Sequence, residues 1–109
     1  MSPIKAVQSN EDIDQIFGDT LAIVFKHSFR CSVSSGAKHE FDRFAESYTQ
    51  DGKLYIVDVV NNRDLSQEIS GRAGVPHQSP QVLVIKDGTV VWNASHWNIN
   101  QKSLEENCE

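Results

Sequence analysis

Cysteine is scarce in this chain. Of its 109 residues only Cys31 and Cys108 are cysteines, far apart in sequence. A disulfide-stapled scaffold is therefore excluded, and two thiols without an export signal are expected to stay reduced. Excess positive charge is missing too: ten Lys and Arg stand against fifteen Asp and Glu, a net charge of −5 that argues against nucleic-acid binding. No window approaches the roughly 18 apolar residues that span a bilayer. Met1 to Asn10 carries one lysine and no apolar run of the signal-peptide kind, so no membrane association and a cytoplasmic location are expected. Gly–Pro linkers, repeats and low-complexity stretches are also absent, which predicts one compact domain over residues 1–109.

What is present is an alternation of helical and strand patterns. Ser9 is a good N-cap for a first helix, with Asp12 three residues on and Ile13, Ile16 and Phe17 on one face. Leu21 to Phe25 is a continuous apolar run, the mark of a strand buried on both faces. Val33, Ala37, Phe41, Phe44, Ala45 and Tyr48 form one stripe of a long helix that begins around Ser32 and ends before Asp51–Gly52. Leu54 to Val60 is rich in β-branched residues and reads as a second strand, parallel to the first across the helical crossover. Asn61 or Asn62 caps a third helix with Leu65 and Ile69 inward, expected to end near Gly71. Gln81 to Lys86 and Thr89 to Trp92 flank Asp87–Gly88, a type I′ hairpin signature. Asn98 or Asn100 caps a last helix around Leu104. The order of elements predicts an α/β, thioredoxin-like fold: a central four-stranded mixed sheet flanked by helices.

Cys31 follows the first core strand and opens the long helix. A thiol at a helix N-terminus is biased toward thiolate, the form that attacks disulfides. From Lys26 to Lys38 the chain holds Lys26, His27, Arg30 and Lys38 and no carboxylate, a local cationic patch on an acidic protein. The position three residues on, where a C-x-x-C motif has its second cysteine, is Ser34. Cys31 is thus the sole candidate nucleophile of a one-thiol redox site. Ser34 either donates a hydrogen bond to that thiolate or satisfies local backbone groups. Pro80 directly precedes the third core strand, and Ser79–Pro80 is expected to be cis, exposing the Ser79 backbone to an extended substrate beside Cys31. His27 and His39 bracket Cys31 at spacings that fit no zinc knuckle, so no metal site is expected. His77, His96 and Trp97 are expected at the Cys31 end of the sheet, where a Trp can wall the thiol pocket, although Trp92 and Trp97 read first as covers for edges of the core and the two histidines are left open. Cys108 sits among Glu105, Glu106 and Glu109. It is read as an exposed thiol on a frayed end, made a poor nucleophile by those acids, or as a possible resolving thiol if the tail reaches Cys31.

Three segments together resemble the monothiol bacilliredoxins of the YtxJ type: His27 to Ser34 (H-S-F-R-C-S-V-S), His77 to Gln81 (H-Q-S-P-Q) and Trp92 to His96 (W-N-A-S-H). The resemblance spans nearly the whole chain. It implies a thiol-disulfide oxidoreductase that removes bacillithiol from protein cysteines, with Cys31 as nucleophile and Ser34 in place of a resolving thiol. Against the family pattern T-C-P-I-S, Arg30 replaces threonine and Ser32 replaces proline. The resemblance further implies no tightly bound cofactor, bacillithiol as the exchanged low-molecular-weight thiol, and bacillithiolated proteins as partners. Regeneration would fall to a second thiol or another redoxin. Bacillithiol carries carboxylates, so Lys26 and Arg30 are expected to attract it, with Ser79 and Pro80 completing the substrate contact, while Lys38 reads as an ordinary solvated charge. Two alternatives remain: a monothiol glutaredoxin-like glutathione or iron–sulfur carrier, whose C-G-F-S and T-V-P segments this chain lacks, and a non-enzymatic thioredoxin-fold interaction module.

Overall fold

In a computed structural model, which describes residues 3–108, five strands form one mixed sheet in the order β1-β3-β2-β4-β5. The elements are β1 (Ile4–Ala6), α1 (Asn10–Gly18), β2 (Leu21–His27), α2 (Ser32–Ser47), β3 (Lys53–Asp58), α3 (Arg63–Ala73), β4 (Gln81–Lys86), β5 (Thr89–Ser95) and α4 (Gln101–Asn107). A single 3-10 turn, His96–Asn98, joins β5 to α4. Strands β1 and β2 run parallel to the intervening β3, whereas β4 is antiparallel to both β2 and β5. The fold is thioredoxin-like, with one strand more than the four expected. The additional β1 is only Ile-Lys-Ala, too short and too polar to signal a strand, and it is held by pairing Ile4 with Leu54 on a single side.

Two cores lie on the two faces of the sheet. Ile23, Phe25, Phe41, Phe44, Tyr48 and Leu104 pack on the α2/α4 face. Ala22, Val24, Ile13, Ile16 and Ile69 pack on the α1/α3 face. The apolar run of β2 feeds both, because successive side chains of a strand point to opposite faces. That parity continues past Phe25 and decides the site: Lys26 turns toward α3, and His27 turns toward α2.

Local chemistry sets the ends of the elements. Ser9 caps α1 by accepting the Asp12 N–H at 3.3 Å, and Gln8 N–H reaches back to the Asp12 carboxylate at 2.8 Å. Asp87 and Gly88 have φ of 50° and 80°, the two positive values of a type I′ turn. A bulge between Val84 and Ile85 pairs them with Trp92 and Val90, so these two β5 residues reach opposite cores. Helix α3 runs beyond the expected stop at Gly71 to Ala73 and ends where Gly74 takes φ 70°. Asn62 stands at its N-cap position, while Asn61 bonds to Asp58 instead. Asn100 and Ser103 form a reciprocal capping box for α4.

Cys108 overturns the expectation of a frayed end. It is the C-cap of α4, 1% exposed, and belongs to the α2/α4 core. Its carbonyl accepts the Tyr48 hydroxyl at 3.1 Å, and burial pushes its thiol up to about 12. The cause is desolvation rather than the acidic neighbours.

Candidate active site

The C-terminal end of β2 delivers Cys31 to the start of α2. The chain turns at Ser28, whose carbonyl accepts the Cys31 N–H at 3.3 Å, and Cys31 then takes extended backbone angles as the N-cap residue. Its carbonyl accepts the Ser35 N–H at 3.0 Å, the first helical bond. The Cys31 side chain makes no capping hydrogen bond, and the first turn of α2 contains no acid. The partly exposed thiol therefore stands at the uncapped positive end of a sixteen-residue helix.

Ser34 lies beneath, fully buried. Its hydroxyl accepts the Ser28 N–H at 2.9 Å and lies 2.7 Å from Nδ1 of His27. Burial, and next the Lys38 charge, lower the His27 pKa, so its imidazole is neutral near pH 7 and shares one hydrogen bond with the Ser34 hydroxyl. Through these two contacts the Ser34 hydroxyl fastens the first turn of α2 to the end of β2. The Phe25 ring stacks on His27 at 5.4 Å and Phe29 meets it edge-on at 4.2 Å.

The cationic patch read from the sequence does not survive folding. Lys26 is fully buried on the α3 face, where its ammonium donates to Ser70 Oγ and to His77 Nδ1 at 3.2 Å. It cannot meet a substrate at the thiol. Lys38 is paired with Asp42 at 2.8 Å. Arg30 alone remains exposed next to Cys31. His39 is exposed on α2, and among the described residues no cluster of His, Cys, Asp or Glu has the makings of a metal site.

The Ser79–Pro80 bond is cis. Register places it at the same end of the sheet as the thiol, because Gln81 pairs with both Lys26 and Ser95. Pro80 is buried, and its carbonyl accepts the His96 N–H at 3.1 Å. Ser79 Oγ is buried with no hydrogen-bond partner among the described residues. His96 has φ 54° and is exposed. Trp97, expected over a core edge, is instead 79% exposed; Trp92 does pack against the α2/α4 core. Phe29, 62% exposed, and Val60, neither singled out by the sequence, join Trp97 in an apolar rim at this end of the sheet. Their signal was their position, each in a turn that follows the C-terminal end of a strand.

Cys108 is remote from all of this. It packs beside Tyr48 at the C-terminal end of α2, about 24 Å along the helix from Cys31. A disulfide needs Cα atoms within about 7 Å, so the resolving role weighed for Cys108 is incompatible with this fold.

A solved structure of a proposed oxidoreductase with a thioredoxin fold superposes at TM-score 0.84 and 32% identity, over 94% of this chain and 91% of that one. A mutant thioredoxin from Halobacterium salinarum gives 0.77 at 19% identity, covering 100% and 92%. Thioredoxin from Trypanosoma brucei brucei gives 0.77 at 16%, covering 95% and 89%. Residues 2–104 match the family of the monothiol bacilliredoxin BrxC. With one partly exposed thiol at the head of α2 and serine at the third position beyond it, this chain belongs to the monothiol bacilliredoxin family of thioredoxin-fold proteins.

Proposed function

We propose that this protein is a cytoplasmic, monothiol thiol-disulfide oxidoreductase that removes bacillithiol from protein mixed disulfides. The observation that carries the reading is the isolation of Cys31. Its thiol is partly exposed at an uncapped helix N-terminus, and the second thiol of the chain is buried at the far end of that helix. Such a site accepts an adduct but cannot resolve it internally.

The Cys31 thiolate attacks the bacillithiol sulfur of the mixed disulfide. A new S–S bond forms between Cys31 and bacillithiol as the old one breaks, and the target cysteine leaves with the electron pair and takes up a proton. A second thiolate, from a low-molecular-weight thiol or another redoxin, then attacks the adduct and leaves with bacillithiol as its own mixed disulfide. Cys31 returns to the reduced form. No tightly bound cofactor takes part. Phe29, Val60 and Trp97 offer apolar surface to the target protein around the thiol, and Arg30 supplies local positive charge. Ser79 and Pro80 lie beside them at the same sheet end.

Intact-mass analysis tests this. Reduced protein mixed with a bacillithiolated target gains one bacillithiol on Cys31, the Cys108→Ser variant does the same, and Cys31→Ser gains none. A target that keeps its modification in the presence of the wild type overturns the proposal.

A further inference from the structure

Among the described residues Lys26 has no counter-charge. It is fully buried, yet among the described residues no carboxylate forms an ion pair with it, and its hydrogen-bond partners are neutral: Ser70 Oγ and His77 Nδ1. Buried charges are ordinarily paired, because desolvation without compensation is costly. Burial lowers the Lys26 pKa to about 8, which still leaves the ammonium protonated at pH 7.

The contacts of His77 fix its tautomer. An ammonium can only donate, so Nδ1 facing Lys26 must accept, and the ring proton sits on Nε2. Ser66 Oγ also reaches Nδ1, at 3.3 Å, from the same side. Burial, and next the positive charges of Lys26 and Arg63, lower the His77 pKa, so the ring is neutral at pH 7. The ring is thus a neutral donor whose Nε2–H edge faces away from Lys26, polarised from behind by a buried cation.

His77 lines a cleft of about 300 Å³ together with Val59, Val60, Arg63 and Gln67. Two backbone hydrogen bonds connect this cleft to the thiol. The Val59 N–H donates to the His27 carbonyl at 3.0 Å, and the Cys31 N–H donates to the next carbonyl, that of Ser28. From the other side, His77 lies two residues before Ser79 and its cis bond. Cys31 and the cleft thus lie at the same end of the sheet, in and just after the turns that follow β2 and β3.

We propose that the Val59–Arg63–His77 cleft is an anion subsite that takes a carboxylate of the low-molecular-weight thiol carried on Cys31. This rests on the bacilliredoxin reading and deepens it. The Arg63 guanidinium and the His77 Nε2–H bind the carboxylate, and Lys26 gains through His77 the counter-charge that the fold withholds. Anionic thiols are thereby selected over neutral ones at a distance from the reacting sulfurs.

Two measurements test the subsite, one of them independent of turnover. The first follows the His77 ring nitrogens by NMR during titration with malate as a dicarboxylate probe. A saturable His77 shift in the wild type that is lost in Arg63→Gln supports the site, and an unmoved His77 overturns it. The second compares Cys31 adduct formation from one target carrying either bacillithiol or 2-mercaptoethanol. Arg63→Gln is expected to lower the preference for bacillithiol about threefold to tenfold, the range of one charge-assisted contact. An unchanged preference overturns the subsite, and so does a preference lost in Arg30→Gln but kept in Arg63→Gln. If the wild type forms neither adduct, the oxidoreductase reading fails, and the malate titration still decides whether the cleft binds anions. Circular dichroism of Arg63→Gln, an exposed position, verifies that the fold is intact.

Discussion

Ser34 Oγ lies 2.7 Å from Nδ1 of the buried His27 and at the same time accepts the Ser28 N–H. In this monothiol site the serine that stands where a resolving cysteine would be is therefore an anchor between strand and helix. Ser34→Ala leaves His27 Nδ1 and the Ser28 N–H without that partner. A loss of about 1–3 kcal/mol in folding stability is expected, the cost of unsatisfied buried polar groups. Adduct formation on Cys31 should persist in the folded variant. Urea denaturation and intact-mass kinetics measure the two effects separately, and loss of transfer in a fully folded Ser34→Ala would mean that the hydroxyl acts on the thiol after all.

Acid should weaken the fold well above the carboxylate range. Burial lowers the pKa of His27 and, less exposed to competing acids, that of His77, while the unfolded chain protonates histidine near 6.5. Below that value the unfolded state binds more protons than the folded one, so stability falls as pH drops from about 7 toward the lowered folded values. The urea midpoint recorded between pH 8 and pH 5 reads this slope. In His27→Gln the slope should be shallower; an identical slope would relieve His27 of any part in it.

Lys26 acts at the other end of the scale. Its folded pKa of about 8 lies below the ordinary lysine value of 10.5, so the unfolded chain holds the extra proton between those values and stability should rise with pH across that window. Lys26→Met removes an uncompensated buried charge. It is expected to stabilise the protein at pH 7 by about 1–3 kcal/mol and to flatten the alkaline rise. A destabilised Lys26→Met would mean that the bonds to Ser70 and His77 outweigh desolvation.

The extent to which the sequence foretold these features follows from how each signal arises. The α2 stripe from Ala37 to Tyr48 and the Asp87–Gly88 turn depend on local spacing, which a sequence displays directly. Strand β1 depends on a partner, Leu54, distant in sequence, and its three residues carry no period of their own. Lys26 looked like part of a surface patch because charge is visible in a sequence while burial is not. Strand parity held the missing information, since Lys26 continues the Ala22–Val24 face into the α1/α3 core. Cys108 misled in the same way: three nearby glutamates suggested solvent, but it falls four residues after Leu104, on the buried side of α4.

That placement gives Cys108 a chemistry opposite to that of Cys31. A thiolate is the reactive form, and a thiol that is 1% exposed with its pKa pushed up to about 12 offers almost none at neutral pH. Iodoacetamide at pH 8 should therefore label Cys31 alone in the native protein, with Cys108 modified only as the chain unfolds. Mass analysis of tryptic peptides, with and without urea, distinguishes the two. The same geometry predicts that oxidant treatment yields adducts or intermolecular species at Cys31 and no Cys31–Cys108 bridge, because α2 holds the two sulfurs at its opposite ends. Rapid native labelling of Cys108, or an intramolecular bridge formed without unfolding, would show that α4 leaves the core on the time scale of the reaction and would restore a resolving role to the second cysteine.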